Sequence, residues 1–174
     1  MASIKDNKGY NQGFKPSKAL EVRTERRCDY IISQMDPGKM RNILEIGCGT
    51  GELAYLIAKK TGKNVCGIDI CKKFVDAAKK KYILNNLKFK TADFNNFKLF
   101  KKQKFDYIVG NGILHHLYYK IDDTLKAMQK MLQKNGKIIF LEPNIYNPYC
   151  MLIFKILFLR KAARLDPVVA LTKE

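Results

Sequence analysis

Two acids and a run of alternate glycines carry the most chemical information in this chain. Glu45 stands two residues before the first glycine of Gly47-Cys48-Gly49-Thr50-Gly51, and the turn follows the short apolar run Asn42–Ile46. Glycines at alternate positions let backbone come close to a ligand, because no side chain stands in the way. A helix predicted to begin at Glu52 aims the partial positive charge of its N-terminus at the same place. The spacing is G-x-G-x-G, not the G-x-G-x-x-G of dinucleotide turns, and a pyrophosphate would gain nothing from the Glu45 carboxylate. A cationic ligand group would. Asp69, eighteen residues after Gly51, closes Val65-Cys66-Gly67-Ile68-Asp69-Ile70. An acid ending a strand offers two adjacent acceptor oxygens to the hydroxyls of a ribose. Its alternative is to cap the helix that follows.

These residues need a scaffold, and the period of the apolar residues supplies one. From Ser17, an N-cap by residue type, Leu20, Val22, Cys28, Ile31, Ile32 and Met35 fall roughly on one helical face, and Pro37–Gly38 stops the helix. The period then switches. Strands are predicted over Asn42–Ile46, Val65–Ile70, Leu87–Lys90, Phe105–Val109 and Lys137–Leu141. Helices are predicted over Glu52–Lys60, Lys72–Tyr82 and Ile121–Leu132, the last closed by Asn135–Gly136. Strands that alternate with helices and read as continuous apolar runs indicate an α/β fold: a doubly wound, mostly parallel sheet with helices on both faces. At 174 residues the chain makes one domain. Within it we distinguish an arm and helix (1–40), a ligand-binding core (41–148) and an apolar, basic C-terminal segment (149–174).

Glu45–Gly51 resembles the first motif of class I S-adenosylmethionine-dependent methyltransferases, in the E-x-G-x-G-x-G form. The resemblance runs from about Asn42 to Asn147 and points to the small-molecule branch of that family and its Rossmann-like fold. It implies S-adenosyl-L-methionine as cofactor, with Gly47, Cys48 and Gly49 of the Glu45–Gly51 motif lining the methionine portion and Glu45 facing its ammonium. It also implies that Asp69, with Ile70 beside it, meets the ribose. Ala92-Asp93-Phe94 resembles the segment whose acid meets the adenine amino group, and Asn111–Gly112 the family's fourth motif, at the methionine end. Asp93 also has the ordinary alternative of capping a turn. The usual last two strands of the family fold have no counterpart here. Either the chain is truncated, or its fifth strand is an open edge covered by the tail or by a partner, a second copy of the chain among them.

Methyl transfer from a sulfonium is an in-line displacement, so the protein mainly aligns the acceptor and, where needed, takes its proton. His115 and His116, the two histidines of the chain, lie just beyond the fourth strand and are the candidates for that proton, with packing as their alternative. Glu142, in Leu141-Glu142-Pro143-Asn144-Ile145-Tyr146, follows the fifth strand at the ligand-binding edge, and Glu142, Asn144 and Tyr146 are placed to touch an acceptor. Turn chemistry explains the same residues equally well. No glutamates of the kind used by metal-dependent relatives stand near this site, so no metal is expected.

Composition narrows the partners less. The net charge is +17, yet only six of the 33 basic residues are arginine, where nucleic-acid readers favour arginine's bidentate fork. The charge is compatible with an anionic small molecule, with RNA or with lipid headgroups, and chooses none. The chain lacks the Asn-Pro-Pro-Tyr type of tetrad used in base methylation, which disfavours nucleic acid. Five cysteines without a CxxC pair indicate a reducing, cytoplasmic setting over a disulfide framework or zinc site. Met151–Leu159, interrupted by Lys155, falls far short of the ~20 residues that span a bilayer. Residues 149–165 read as a core-facing helix, with a substrate cap or a membrane-surface helix as alternatives. Three functions therefore stand at this point: a methyltransferase for a hydroxyl of a metabolite, sugar, quinone precursor or lipid; a tRNA or rRNA methyltransferase; and a catalytically silent binding module.

Overall fold

The computed structural model describes residues 17–94, 103–117, 121–142, 144, 146 and 148. Their elements are α1 (Lys18–Ser33), β1 (Asn42–Ile46), α2 (Glu52–Thr61), β2 (Asn64–Asp69), α3 (Lys72–Lys81), β3 (Leu87–Thr91), β4 (Phe105–Asn111), α4 (Ile121–Met131) and β5 (Leu132–Leu141). All five strands pair in parallel, in the order β3-β2-β1-β4-β5. The chain starts at the centre with β1, winds outward through β2 and β3, then returns to the other side of β1 for β4 and β5. That reversal between β1 and β4 opens a crevice at the carboxyl ends of the strands, where open α/β sheets bind ligands.

Each face of the sheet has its own core. Ile43, Val65, Phe89, Tyr107 and Val109 pack with Cys28 and Ile31 of α1, Leu53 and Ile57 of α2 and Val75 of α3. Leu44, Ile46, Ile68 and Ile108 point the other way and pack with Met128 and Met131 of α4. Because side chains alternate along a strand, β1 buries both Ile43 and Leu44 completely. Each such burial stabilises the fold by about 1.5–3 kcal/mol. Glu45 shares the face of Ile43, which sends its carboxyl toward α2.

Two side chains of β4 bond to the chain that leads into β1. Asp106 Oδ2 accepts from the backbone N–H of Arg41 at 3.0 Å and of Asn42 at 2.8 Å. The Tyr107 hydroxyl accepts from the N–H of Asp36 at 2.7 Å and ties the loop after α1 to the sheet.

The predicted elements need three corrections. Val22 is 38% exposed, because the buried side of α1 is formed by Cys28 and Ile31, with half-buried Thr24 a turn before them, and Val22 lies off it. β2 ends at Asp69, and Ile70 lies beyond it with 55% of its surface exposed. β5 begins at Leu132, which pairs with Phe105 before the register jumps to Tyr107 with Lys137. The intervening residues include Asn135 in the left-handed region (φ 68), which turns the chain between the two pairings. Ser17 caps α1 as predicted, its hydroxyl oxygen accepting from the N–H of Leu20 at 3.2 Å. The arm (1–16) and the tail from Tyr149 onward, with the roles suggested for them above, lie outside the described residues. No helix among the described residues is long and apolar enough to cross a membrane.

Candidate functional site

The site is built where β1, β2 and β4 end. Glu45 pairs in register with Gly67 of β2 and Val109 of β4, in mid-sheet, and is only 2% exposed. The N-cap of α2 is Gly51, which has no side chain to cap with, and the backbone N–H of Ala54 in the first turn donates instead to the Glu45 carboxyl. The second oxygen, Oε2, is buried and has no hydrogen-bond partner among the described residues. Burial pushes the Glu45 carboxyl up to about 8; the Ala54 N–H works against that shift and nearby Asp69 adds to it.

The glycine turn folds over this acid. The N–H of Cys48 donates to Ile68 O at 2.9 Å, and that of Gly51 to Cys48 O at 2.8 Å. Gly49 has φ +52 and nothing within 4 Å of where a Cβ would stand, so the turn leaves open space there. Gly51 is glycine for a different reason. At φ +86, a Cβ would lie 2.6 Å from Phe89 Cζ and 2.8 Å from Ala78 Cβ, so any side chain would push α3 and β3 away. Burial, reinforced by Glu45 and Asp69, holds the Cys48 thiol far above its ordinary range, so it is a neutral S–H in the turn.

Asp69 joins the second strand to the first. Its Oδ2 accepts from Gly49 N–H at 2.9 Å and its Oδ1 from Cys71 N–H at 2.8 Å. Cys71 is itself the N-cap of α3 and makes no side-chain cap bond. Asp69 therefore braces the turn and the loop after β2, with lone pairs left on both oxygens for a diol. Ile70 exposes its apolar side chain beside it. The end of β3 joins the same rim, the N–H of Ala92 donating to Asp69 O at 2.9 Å. Asp93 follows on that rim, and Phe94 is packed in the second core cluster, so its ring anchors the segment from behind.

On the β4 side, Asn111 ends the strand and the N–H of Gly112 donates to Leu141 O at 2.8 Å. Leu114–His116 form a single 3-10 turn, with His115 in its middle and His116 exposed at its end. Glu142 does not simply face outward. Its Oε1 accepts from the N–H groups of Ile113 at 2.7 Å and Leu114 at 2.8 Å. Asn144 Oδ1 accepts from the N–H of Tyr146 at 2.9 Å, so the amide closes its own turn, while Tyr146 is 84% exposed. Among the described residues no group of three or more His, Cys, Asp or Glu side chains is placed to hold a metal ion.

The arrangement offers an unpaired buried carboxyl oxygen beneath a glycine turn, open space above Gly49, and a braced acid with an exposed apolar neighbour one strand away. A ligand with a cationic amino-acid end and a ribose suits it. The methyltransferase domain family matches residues 38–163, most of the chain. This chain belongs to the class I S-adenosylmethionine-dependent methyltransferases. Within the family it is similar to the ubiquinone biosynthesis O-methyltransferase of Pelagibacter ubique (strain HTCC1062), 34% identical over 124 residues covering 71% of this chain and 51% of that protein. It is also similar to the malonyl-acyl-carrier-protein O-methyltransferase of Priestia megaterium (strain DSM 319 / IMG 1521), 29% identical over 99 residues, 56% of this chain and 35% of that one. Among solved structures, the PH0226 protein of Pyrococcus horikoshii OT3 shares the fold with a TM-score of 0.64 at 20% identity, over 83% of this chain and 63% of that one. The chain thus spans about half of the first relative's length and about a third of the second's.

Sequence reasoning placed Glu45, Asp69 and the glycines correctly at one edge of the sheet. It missed the Ala54, Gly49 and Ile113–Leu114 backbone partners of the three acids. Each of those bonds joins segments that only the folded sheet brings together. The one hint in the sequence was that an acid stands within one residue of the end of β1, β2 and β5 alike.

Proposed function

We propose that this chain binds S-adenosyl-L-methionine and transfers its methyl group to an oxygen of a small, hydroxylated metabolite. The observation that carries the reading is Glu45 Oε2, a buried acceptor without a partner among the described residues, next to the glycine turn. A buried polar atom left unsatisfied costs about 1–3 kcal/mol, and an ammonium group removes that cost. Glu45 takes the ammonium, and Gly47, Cys48 and Gly49 hold the methionine end with Asn111 and Gly112 across from them. Asp69 accepts from the ribose hydroxyls. Ile70 and the Ala92–Asp93 rim meet the adenine, with Gly51 and Phe94 supporting from behind. Once bound, the cofactor supplies an electrophilic methyl on a sulfonium. The protein's remaining tasks are to align an acceptor oxygen and to remove its proton, which we assign to His115 or His116 on the turn after β4. An oxygen acceptor is supported by the two relatives described above, each an O-methyltransferase.

Calorimetry with S-adenosylmethionine and with NAD tests the binding half. Submicromolar to micromolar binding of the sulfonium ligand is expected, and preferential binding of NAD would refute it. Methyl release from labelled cofactor, across a panel of hydroxylated aromatics, sugars, lipids, acyl carboxylates and tRNA, tests the acceptor half. Turnover on tRNA alone would transfer the assignment to RNA. Binding without turnover on any acceptor would make the chain a silent module.

A further inference from the structure

Glu142 is the acid that the sequence places nearest the acceptor, yet its Oε1 already serves two backbone donors, Ile113 N–H at 2.7 Å and Leu114 N–H at 2.8 Å. A carboxylate oxygen with two N–H groups on it has both lone pairs engaged, so Oε1 could take a proton only by giving up one of those bonds. Bonds from backbone N–H to a carboxylate are of the charge-assisted kind, so they fix the loop more firmly than neutral bonds would. They also continue a seam. Parallel pairing of β4 with β5 ends at Asn111 and Leu141, the N–H of Gly112 still reaches Leu141 O at 2.8 Å, and the next two N–H groups are taken by the Glu142 side chain.

The seam reaches both halves of the site. Leu114 opens the 3-10 turn that contains His115 and His116, so one end of that turn is pinned to β5. Ile113, whose N–H is the other donor, packs its side chain against the cofactor turn: a Cβ on Gly47 would lie 2.7 Å from Ile113 Cδ1 and Cγ1. A shift of Ile113 is therefore felt at Gly47, and a shift of Leu114 at the histidines.

We propose that Glu142 is a positioning residue that clamps the Ile113–Leu114 backbone through Oε1, setting the histidine turn against the cofactor turn, and is not the base that takes the acceptor's proton. The proposal rests on the methyltransferase reading for its catalytic consequence, but the clamp itself does not. Glutamine keeps a carbonyl oxygen at the same reach and can accept both bonds, whereas alanine removes the acceptor altogether.

The test compares Glu142→Gln and Glu142→Ala in the full chain. In Glu142→Ala, amide hydrogen exchange at Ile113 and Leu114 is expected to speed up by about tenfold or more, with Leu44 in mid-sheet unchanged. Affinity for S-adenosylhomocysteine, the probe for the cofactor site, is expected to fall by about three- to tenfold through Ile113. Glu142→Gln is expected to restore slow exchange and most of that affinity. On an acceptor turned over by the wild type, it should lower kcat only a few-fold with the pH profile kept. Unchanged exchange in Glu142→Ala would overturn the clamp. Loss of one limb of the pH profile in Glu142→Gln, with exchange still slow, would return Glu142 to the role of base. If the wild type fails to bind S-adenosylhomocysteine, the functional reading fails while the exchange data still judge the clamp.

Discussion

The backbone N–H of Gly49 donates to Asp69 Oδ2 at 2.9 Å, so the acid that ends β2 holds the middle of the turn that follows β1. One carboxylate thereby serves the scaffold and, on the reading above, the ribose. Asp69→Ala removes the acceptor for both. Bonds to a charged group are worth about 1.5–3 kcal/mol each, so S-adenosylhomocysteine should bind roughly ten- to a hundredfold more weakly. Asp69→Asn, which keeps one acceptor oxygen, should fall between. Wild-type affinity in Asp69→Ala, measured by calorimetry, would remove Asp69 from the ribose site.

On the proposed reading, Glu45 links cofactor binding to pH. Its carboxyl is raised from 4.5 to about 8 in the folded chain, so between those values the free protein holds a proton that the unfolded chain has released. Stability of the ligand-free protein should accordingly decline as pH rises through that window and level off above it. An ammonium ligand prefers the ionised acid, so binding near neutral pH should expel up to one proton, and affinity should rise from about pH 6 toward 8. Calorimetry in two buffers of different ionisation enthalpy reads that proton directly. Glu45→Gln should abolish the release; a wild-type count of zero would show that Glu45 is already ionised.

Gly49 and Gly51 should fail in different ways. Alanine at Gly51 combines a left-handed backbone, about 1–2 kcal/mol, with an overlap against Phe89 and Ala78. A lowered Tm with weakened ligand binding is expected. Alanine at Gly49 meets no neighbour, so only the backbone cost should appear in Tm, while its methyl occupies the space assigned to the ligand. Thermal melts with and without S-adenosylhomocysteine separate the two. Equal ligand-induced shifts in Gly49→Ala and wild type would mean that the ligand lies elsewhere.

Asp106 offers a control far from the site. Asp106→Ala leaves the N–H groups of Arg41 and Asn42 without their acceptor at the opposite end of β1. Chemical denaturation should report a loss of about 1–2 kcal/mol, with ligand affinity in the folded protein unchanged. A matching loss of affinity would show that the β1–β4 register and the ligand site are coupled.

The sequence by itself determined the fold class, the position of four of the five strands and the family, because these depend on local periodicity and on glycines whose spacing has few other uses. The G-x-G-x-G turn after a buried strand points to the kind of ligand, and on the proposed reading the acid two residues before it answers the ligand's charge. Where the carboxylates spend their oxygens was decided only in three dimensions. Asp69 could equally have capped α3, and Glu142 could have faced an acceptor, since both types of bond are open to an acid in those positions. Sheet order settled it: setting β1 between β2 and β4, and β5 beside β4, brings Gly49 to Asp69 and the Ile113–Leu114 backbone to Glu142. Glu45 is the residue on which the two levels meet. Its type was legible in the chain, but its unpaired buried oxygen arises because α2 folds over the sheet and supplies one N–H where the carboxyl has room for more.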